Sequence, residues 1–197
     1  MLGAIIGDVV GSRFEFNNIK RKEFTLFHPD CKFTDDSVCT IAFMDWLLHA
    51  EERTPETATT YLRKWTSTYP FAGYGGRFIE WVFSSNPRPY NSYGNGSAMR
   101  ISSIAWAAND LDELKTLSDM VTGITHNHPE GMKGALVVAT CIYMALHGSN
   151  KESIGEYAIS CYPEISNLDY EELRRTYFHL VGAANDGRRH ACQLCHV

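Results

Sequence analysis

An all-α, compact multi-helix bundle is the fold class this sequence predicts, and three observations carry it. Apolar residues recur at helical spacing, most clearly at Val38, Ile41, Ala42 and Leu48. Helix-start signals stand ahead of such runs, as in Thr54-Pro55-Glu56 and in Asp110 with Glu113 three residues on. No stretch alternates apolar and polar residues convincingly, and helical periods joined by short connections make a bundle.

Size and composition agree with one soluble domain. The 197 residues are 44% apolar and 21% charged, which is ordinary for a globular chain able to bury a core. A formal charge of −5 argues against a broad nucleic-acid surface. The six cysteines (31, 39, 141, 161, 192 and 195) are scattered in a chain too large to need disulfide staples, so reduced thiols in a cytosol are expected. The N-terminus lacks the basic segment of a signal peptide. No run approaches the ~18 apolar residues of a membrane span, so a cytoplasmic protein without membrane contact is expected.

Taken in order, residues 1 to 12 read as a buried helix. Gly3, Gly7 and Gly11 share one face, and because glycine costs a helix about 1 kcal/mol against alanine, either another helix or a ligand is expected close to it. Asp8 in this apolar segment reads as a hydrogen-bonded polar group. Residues 16 to 33 read as a polar loop. A strong helix follows Asp36 and runs to about Ala50, and another starts at Thr54 with Pro55 in its first turn and runs to about Ser67. Residues 70 to 100 are irregular around one short helix near Arg77 to Phe83. The glycine-containing loop 91–97 is then expected to deliver a helix over Ala98 to Ala108, exposing backbone N–H groups to a phosphate. Helices are expected over 111–122, after the segment 125–131 to near His147-Gly148, and from Ser153 to Cys161.

Two segments bear side chains suited to chemistry. Thr34-Asp35-Asp36-Ser37 opens the strong helix with four oxygen-bearing side chains, which suits a hard divalent cation, although such a segment standing alone is more often an N-cap with acidic residues at the positive helix end. Thr125-His126-Asn127-His128 precedes a helix, where histidines act as ligands or as local caps.

The four motifs together are more specific. Gly3-x₃-Gly7-Asp8-x₂-Gly11-x₃-Glu15, Thr34-Asp35-Asp36-Ser37, Tyr93-Gly94-Asn95-Gly96-Ser97-Ala98-Met99-Arg100 and Thr125-His126-Asn127-His128-Pro129-Glu130-Gly131, in that order, resemble the ADP-ribosylglycohydrolase family. The resemblance implies an all-α domain with two Mg²⁺ ions (Mn²⁺ in some members) beneath an ADP-ribose cleft. It implies hydrolysis of the bond joining the ribose anomeric carbon to a protein side chain, or of a related ADP-ribose conjugate. Carried over, Thr34, Asp35 and Asp36 are metal ligands, and Glu15 and Asp36 are the catalytic carboxylates. Ser92, Tyr93, Gly94 and Asn95 contact the diphosphate, and His126 contacts bound ADP-ribose.

The family's C-terminal Asp-x-Asp-Thr motif has no counterpart in this chain. The reading is therefore a helical domain over 1–168 lacking the family's C-terminal helices, with 169–197 as an out-of-family tail. His190, Cys192, Cys195 and His196 in that tail are zinc-type residues at too cramped a spacing for a usual site. With Thr34, Asp35 and Asp36 alone, at most one Mg²⁺ is expected. Uncovered apolar faces would favour self-association. Beside the hydrolase stand two other readings: a non-catalytic ADP-ribose-binding module and an inactive remnant.

Overall fold

The computed structural model describes residues 1–167 except 18, 20 and 22. The boundary at 168 and the tail with its His and Cys residues lie outside these. Eight α-helices follow one another, and no strand occurs among the described residues: α1 Leu2–Gly11, α2 Asp35–His49, α3 Pro55–Thr68, α4 Gly76–Phe83, α5 Ser102–Ala107, α6 Leu111–Gly123, α7 Pro129–Leu146 and α8 Lys151–Cys161. Short 3-10 turns at Ser12–Phe14 and Pro163–Asn167 complete the order. No helix among the described residues is long and apolar enough to cross a membrane.

Local chemistry sets most helix starts where expected. The Thr54 hydroxyl accepts from Thr57 N–H at 3.2 Å while Thr57 Oγ1 accepts from Thr54 N–H at 3.1 Å, a reciprocal cap, with Pro55 in the first turn. Asp110 accepts from Glu113 N–H at 2.8 Å, but the Glu113 carboxylate reaches back one residue further, to Asn109 N–H at 2.8 Å. His128 caps α7 through Nδ1, which accepts from Glu130 N–H at 3.1 Å.

Helix α2 is the axis of the core. Cys39, Ala42, Phe43 and Trp46 are buried along it, against α3 with Ala58 and Leu62 and α5 with Ile104 and Ala105, while Ala135 and Ala139 of α7, which packs on α5 and α6, belong to the same core cluster. Each fully buried Phe or Leu contributes about 2 kcal/mol of transfer free energy. The Trp46 indole keeps its polar end satisfied by donating to Thr57 Oγ1 at 2.8 Å, which fixes α3 on α2.

Two expectations are corrected. Residues 2–11 are helical, but α1 lies at the surface: Val10 is its one buried residue, while Leu2 is 77% and Ile6 48% exposed. A Cβ placed on Gly3, Gly7 or Gly11 meets no described atom within 4 Å, so no neighbour approaches that face among the described residues. The apolar character of this segment was a property of composition; which surface covers it is a tertiary matter. The second correction concerns 98–108. The regular helix spans only Ser102–Ala107, and 95–100 form turns. Arg100, the last residue of those turns, is 1% exposed.

Candidate functional site

The acidic half of the site is built from α1 and α2. Asp8 Oδ2 accepts from the backbone N–H of Thr34 at 2.8 Å and of Ser37 at 3.2 Å. The Thr34 and Ser37 hydroxyls also donate to the Asp8 carboxylate. Asp8 thereby satisfies donors at the start of α2 that no intrahelical partner could, and the reading of it as a hydrogen-bonded polar group holds. Thr34 gives its proton to Asp8 and accepts weakly from Asp36 N–H at 3.4 Å. Its oxygen keeps acceptor capacity for a further group.

Asp35 and Asp36 occupy the first turn of α2. The Asp35 carboxyl is raised to about 7, first by burial and then by the Asp36 charge, with Glu15 and Asp8 adding and its own backbone N–H opposing. Glu15, exposed just past the 3-10 turn Ser12–Phe14, therefore acts by its charge on Asp35 together with Asp36 and Asp8. Gly73, at φ +102°, brings the 70–75 loop to Asp35: a Cβ there would sit 3.8 Å from Asp35 Oδ1. Sequence alone did not mark Gly73; its positive φ is the signal, and only coordinates show it.

The second half is a pair of loops stitched together. Tyr90 N–H and Ser92 N–H both donate to the Thr125 carbonyl, at 3.3 and 3.5 Å. Asn91, whose φ of +53° is the one positive value among described non-glycine residues, donates its N–H to Asn127 Oδ1 at 2.7 Å. Ser92 Oγ accepts from Gly94 N–H at 3.2 Å, and the Asn95 carbonyl accepts from Met99 N–H at 3.0 Å. The Tyr93 ring lies 5.3 Å from that of His128. The start of α7 presses on this loop: a Cβ on Gly131 would meet the Ser92 carbonyl oxygen at 2.6 Å, His126 Cβ at 3.2 Å and Tyr93 Cα at 3.4 Å. Ser92, Tyr93 and His126 therefore lie together around Gly131, with Gly94 and Asn95 continuing the same loop.

His126 is 4% exposed, and its pKa is lowered to about 3, first by burial and then by the Arg100 charge. Arg100 lies at the centre of the domain, its guanidinium 5.3 Å from the Phe43 ring and 5.7 Å from that of Phe78. Burial lowers its pKa, while Cys39, Tyr90 and Asp35 oppose that. Through Arg100 the electrostatics of the acidic and loop halves meet. Arg100 and Thr125 stand within the sequence motifs, but no role for either follows from the sequence. A lone arginine between Met99 and Ile101 was the available signal.

A cation fits the acidic half by donor chemistry. Two carboxylates and a hydroxyl from one helix start are hard oxygen donors, crowded by charge of one sign. Among the described residues no three His, Cys, Asp or Glu side chains gather closely enough to hold a metal by themselves. The Thr34 hydroxyl and water would have to supply the rest.

A family model described as ADP-ribosylglycohydrolase matches residues 1–193. That match runs on through most of the segment read above as an out-of-family tail. The chain is similar to the ADP-ribosylhydrolase ARH3 of Mus musculus, 28% identical over 213 residues, covering 88% of this chain and 56% of that protein. The Homo sapiens ARH3 is 27% identical over 184 residues, covering 76% and 50%. The Xenopus tropicalis ARH3 is 25% identical over 173 residues, covering 75% and 49%. The chain thus spans about half the length of the curated relatives it matches.

Proposed function

The chain belongs to the ADP-ribosylglycohydrolase family, and from that premise we propose that it binds ADP-ribose and hydrolyses the bond at its ribose anomeric carbon. The observation that carries this reading is the convergence on Asp35 of burial and three carboxylate charges, from Asp36, Glu15 and Asp8. Like charges held together in a half-buried site are stable only with a proton or a cation between them, and a divalent cation is the partner that hydrolysis at a sugar carbon would use.

Thr34, Asp35 and Asp36 would hold Mg²⁺, or Mn²⁺ in its place, and this donor set suits one ion rather than two. When bound, the ion supplies positive charge that orients ribose hydroxyls and acidifies a water. Glu15 would accept a proton from the attacking water, with Asp36 as the second catalytic carboxylate, while oxocarbenium-like charge grows on the ribose. The anion of the diphosphate would be met by the loop Ser92-Tyr93-Gly94-Asn95, and His126 would complete the contact. The ligand is then free ADP-ribose or an ADP-ribosylated protein. A cytoplasmic setting and self-association through exposed Leu2 and Ile6 belong to the same proposal.

A second reading has its own support. The loop half is tied together entirely within the described residues, whereas the cation half has few donors. That asymmetry favours a module that binds ADP-ribose without turning it over.

Calorimetric titration of ADP-ribose into the full chain, with and without Mg²⁺, tests both. Mg²⁺-dependent binding lost in the Asp35→Ala, Asp36→Ala double variant, with release of ADP-ribose from a modified protein, is the expected result. Saturable binding without turnover would establish the binding module. No binding in either condition would refute both.

A further inference from the structure

Resting on the ADP-ribose reading, we infer that Arg100 and Thr125 are positioning residues: their hydrogen-bond chain holds His126 as the neutral tautomer protonated at Nε2, so that it serves only as a donor to an acceptor atom of the ligand.

The chain has three members. Arg100 donates from a guanidinium N–H to Thr125 Oγ1 at 2.6 Å. Thr125 Oγ1 lies 2.7 Å from His126 Nδ1. Thr125 is 0% exposed, Arg100 1% and His126 4%, so water does not complete these bonds.

Proton accounting then decides the direction. An arginine has donors only, so the Thr125 oxygen must be the acceptor of that first bond. The hydroxyl carries one proton, and His126 Nδ1 is the remaining partner in reach of it. If Nδ1 held a proton instead, Thr125 Oγ1 would accept twice and its own buried proton would have no acceptor, which is the costly arrangement. Nδ1 is therefore the acceptor, and in a neutral ring the proton is on Nε2. The positive charge of Arg100 acts in the same sense, because a second proton on the ring would face a cation across one hydroxyl. Depression of the His126 pKa by burial and by Arg100 agrees.

The Nε2 edge of the ring faces the ligand loop. A Cβ on Gly96 would stand 3.3 Å from both Cε1 and Nε2, so glycine leaves room for that edge. Thr125 has a second task, since its carbonyl accepts from Tyr90 and Ser92. One residue thus sets both the position of the loop and the proton of the neighbouring ring. The acceptor class that suits Nε2–H is an oxygen anion or carbonyl, such as a diphosphate oxygen.

The test uses the full chain labelled at histidine nitrogens, with long-range proton–nitrogen NMR and the His126→Asn variant to assign the signal. The expected result is a protonated Nε2 and bare Nδ1, unchanged from about pH 8 to about pH 5 although free histidine titrates in that range. A proton on Nδ1, or an imidazolium at about pH 6, overturns the inference. Thr125→Ser keeps the wild-type pattern, and Thr125→Val loses the single tautomer. A folded Thr125→Val with the wild-type tautomer also overturns it. Should Thr125→Val not fold, the wild-type spectrum decides alone. ADP-ribose affinity should fall about ten-fold in Thr125→Val and return in Thr125→Ser, the loss of one hydrogen bond. A wild-type chain that does not bind ADP-ribose sinks the functional reading, while the tautomer result still stands or falls on the spectra.

Discussion

Alanine at Gly131 should destabilise the protein, and alanine at Gly134, three residues further along α7, should stabilise it. At Gly131 the new methyl would stand 2.6 Å from the Ser92 carbonyl oxygen, a backbone atom. Reaching an ordinary contact of 3.4 Å requires the two to separate by about 0.8 Å, the difference between those distances. Ser92 cannot recede freely, because its N–H is tied to the Thr125 carbonyl and Ser97 Oγ donates to the Gly131 carbonyl at 3.1 Å. Overpacking of this kind costs about 1–3 kcal/mol. The intrinsic helix gain of alanine over glycine, about 1 kcal/mol, offsets part of it. At Gly134 the nearest atom is Tyr162 Oη at 3.6 Å, an ordinary contact, so only the gain remains. The two variants should therefore differ by about 2 kcal/mol, from those overpacking and propensity values. Urea denaturation of both, at equal slope, reads the difference in midpoint. ADP-ribose titration should show weaker binding for Gly131→Ala alone, since the displaced segment is the ligand loop. Equal stabilities would refute the close approach of α7 to that loop and, with it, the account of how the site is held.

Two further predictions concern the acidic half. Asp35 has a folded pKa of about 7, above its ordinary 3.8, so the metal-free protein should lose stability as pH rises from about 4 through about 7. Asp35→Asn should remove that loss and be more stable by about 2 kcal/mol at alkaline pH, after solvent screening of a half-buried group. Unfolding curves of both proteins across this range read it; His126, whose pKa is lowered, acts alike on both and cancels in the difference. An unchanged pH profile would sink the assignment. Asp8→Ala should cost about 2–3 kcal/mol, because charge-assisted bonds to Thr34 and Ser37 are lost together. Asp8→Asn, which keeps one acceptor oxygen, should cost less, and thermal unfolding that ranks the two the other way would contradict the anchoring role of Asp8.

The legibility of this protein in its sequence follows the range of the forces involved. Thr54 and Asp110 act within a turn of their own positions, so the starts of α3 and α6 could be read directly. The helical spacing of Val38, Ile41 and Ala42 likewise announced α2. Thr34, Asp35 and Asp36 drew notice as clustered oxygen donors at a helix start, whereas Ser92 and His126 were marked by the resemblance to the family. Gly3, Gly7 and Gly11 mark the limit of such local reading. Their spacing shows that a face is bare, but whether anything covers it depends on which distant segment arrives there.

What the sequence by itself determined, then, was the all-α class, most helix boundaries, the family and the residues that could do chemistry, since capping, periodicity and residue type are local. Tertiary structure alone decided three things: that Asp8 serves the α2 terminus, that 98–101 leave the helix, and that Arg100, Thr125 and His126 form one chain. Each joins residues distant along the sequence, between 25 and 29 positions apart for the Asp8–Ser37 and Arg100–Thr125 bonds. A buried arginine must find an acceptor wherever the fold supplies one. No local rule contains that requirement, because the acceptor Thr125 stands 25 positions away.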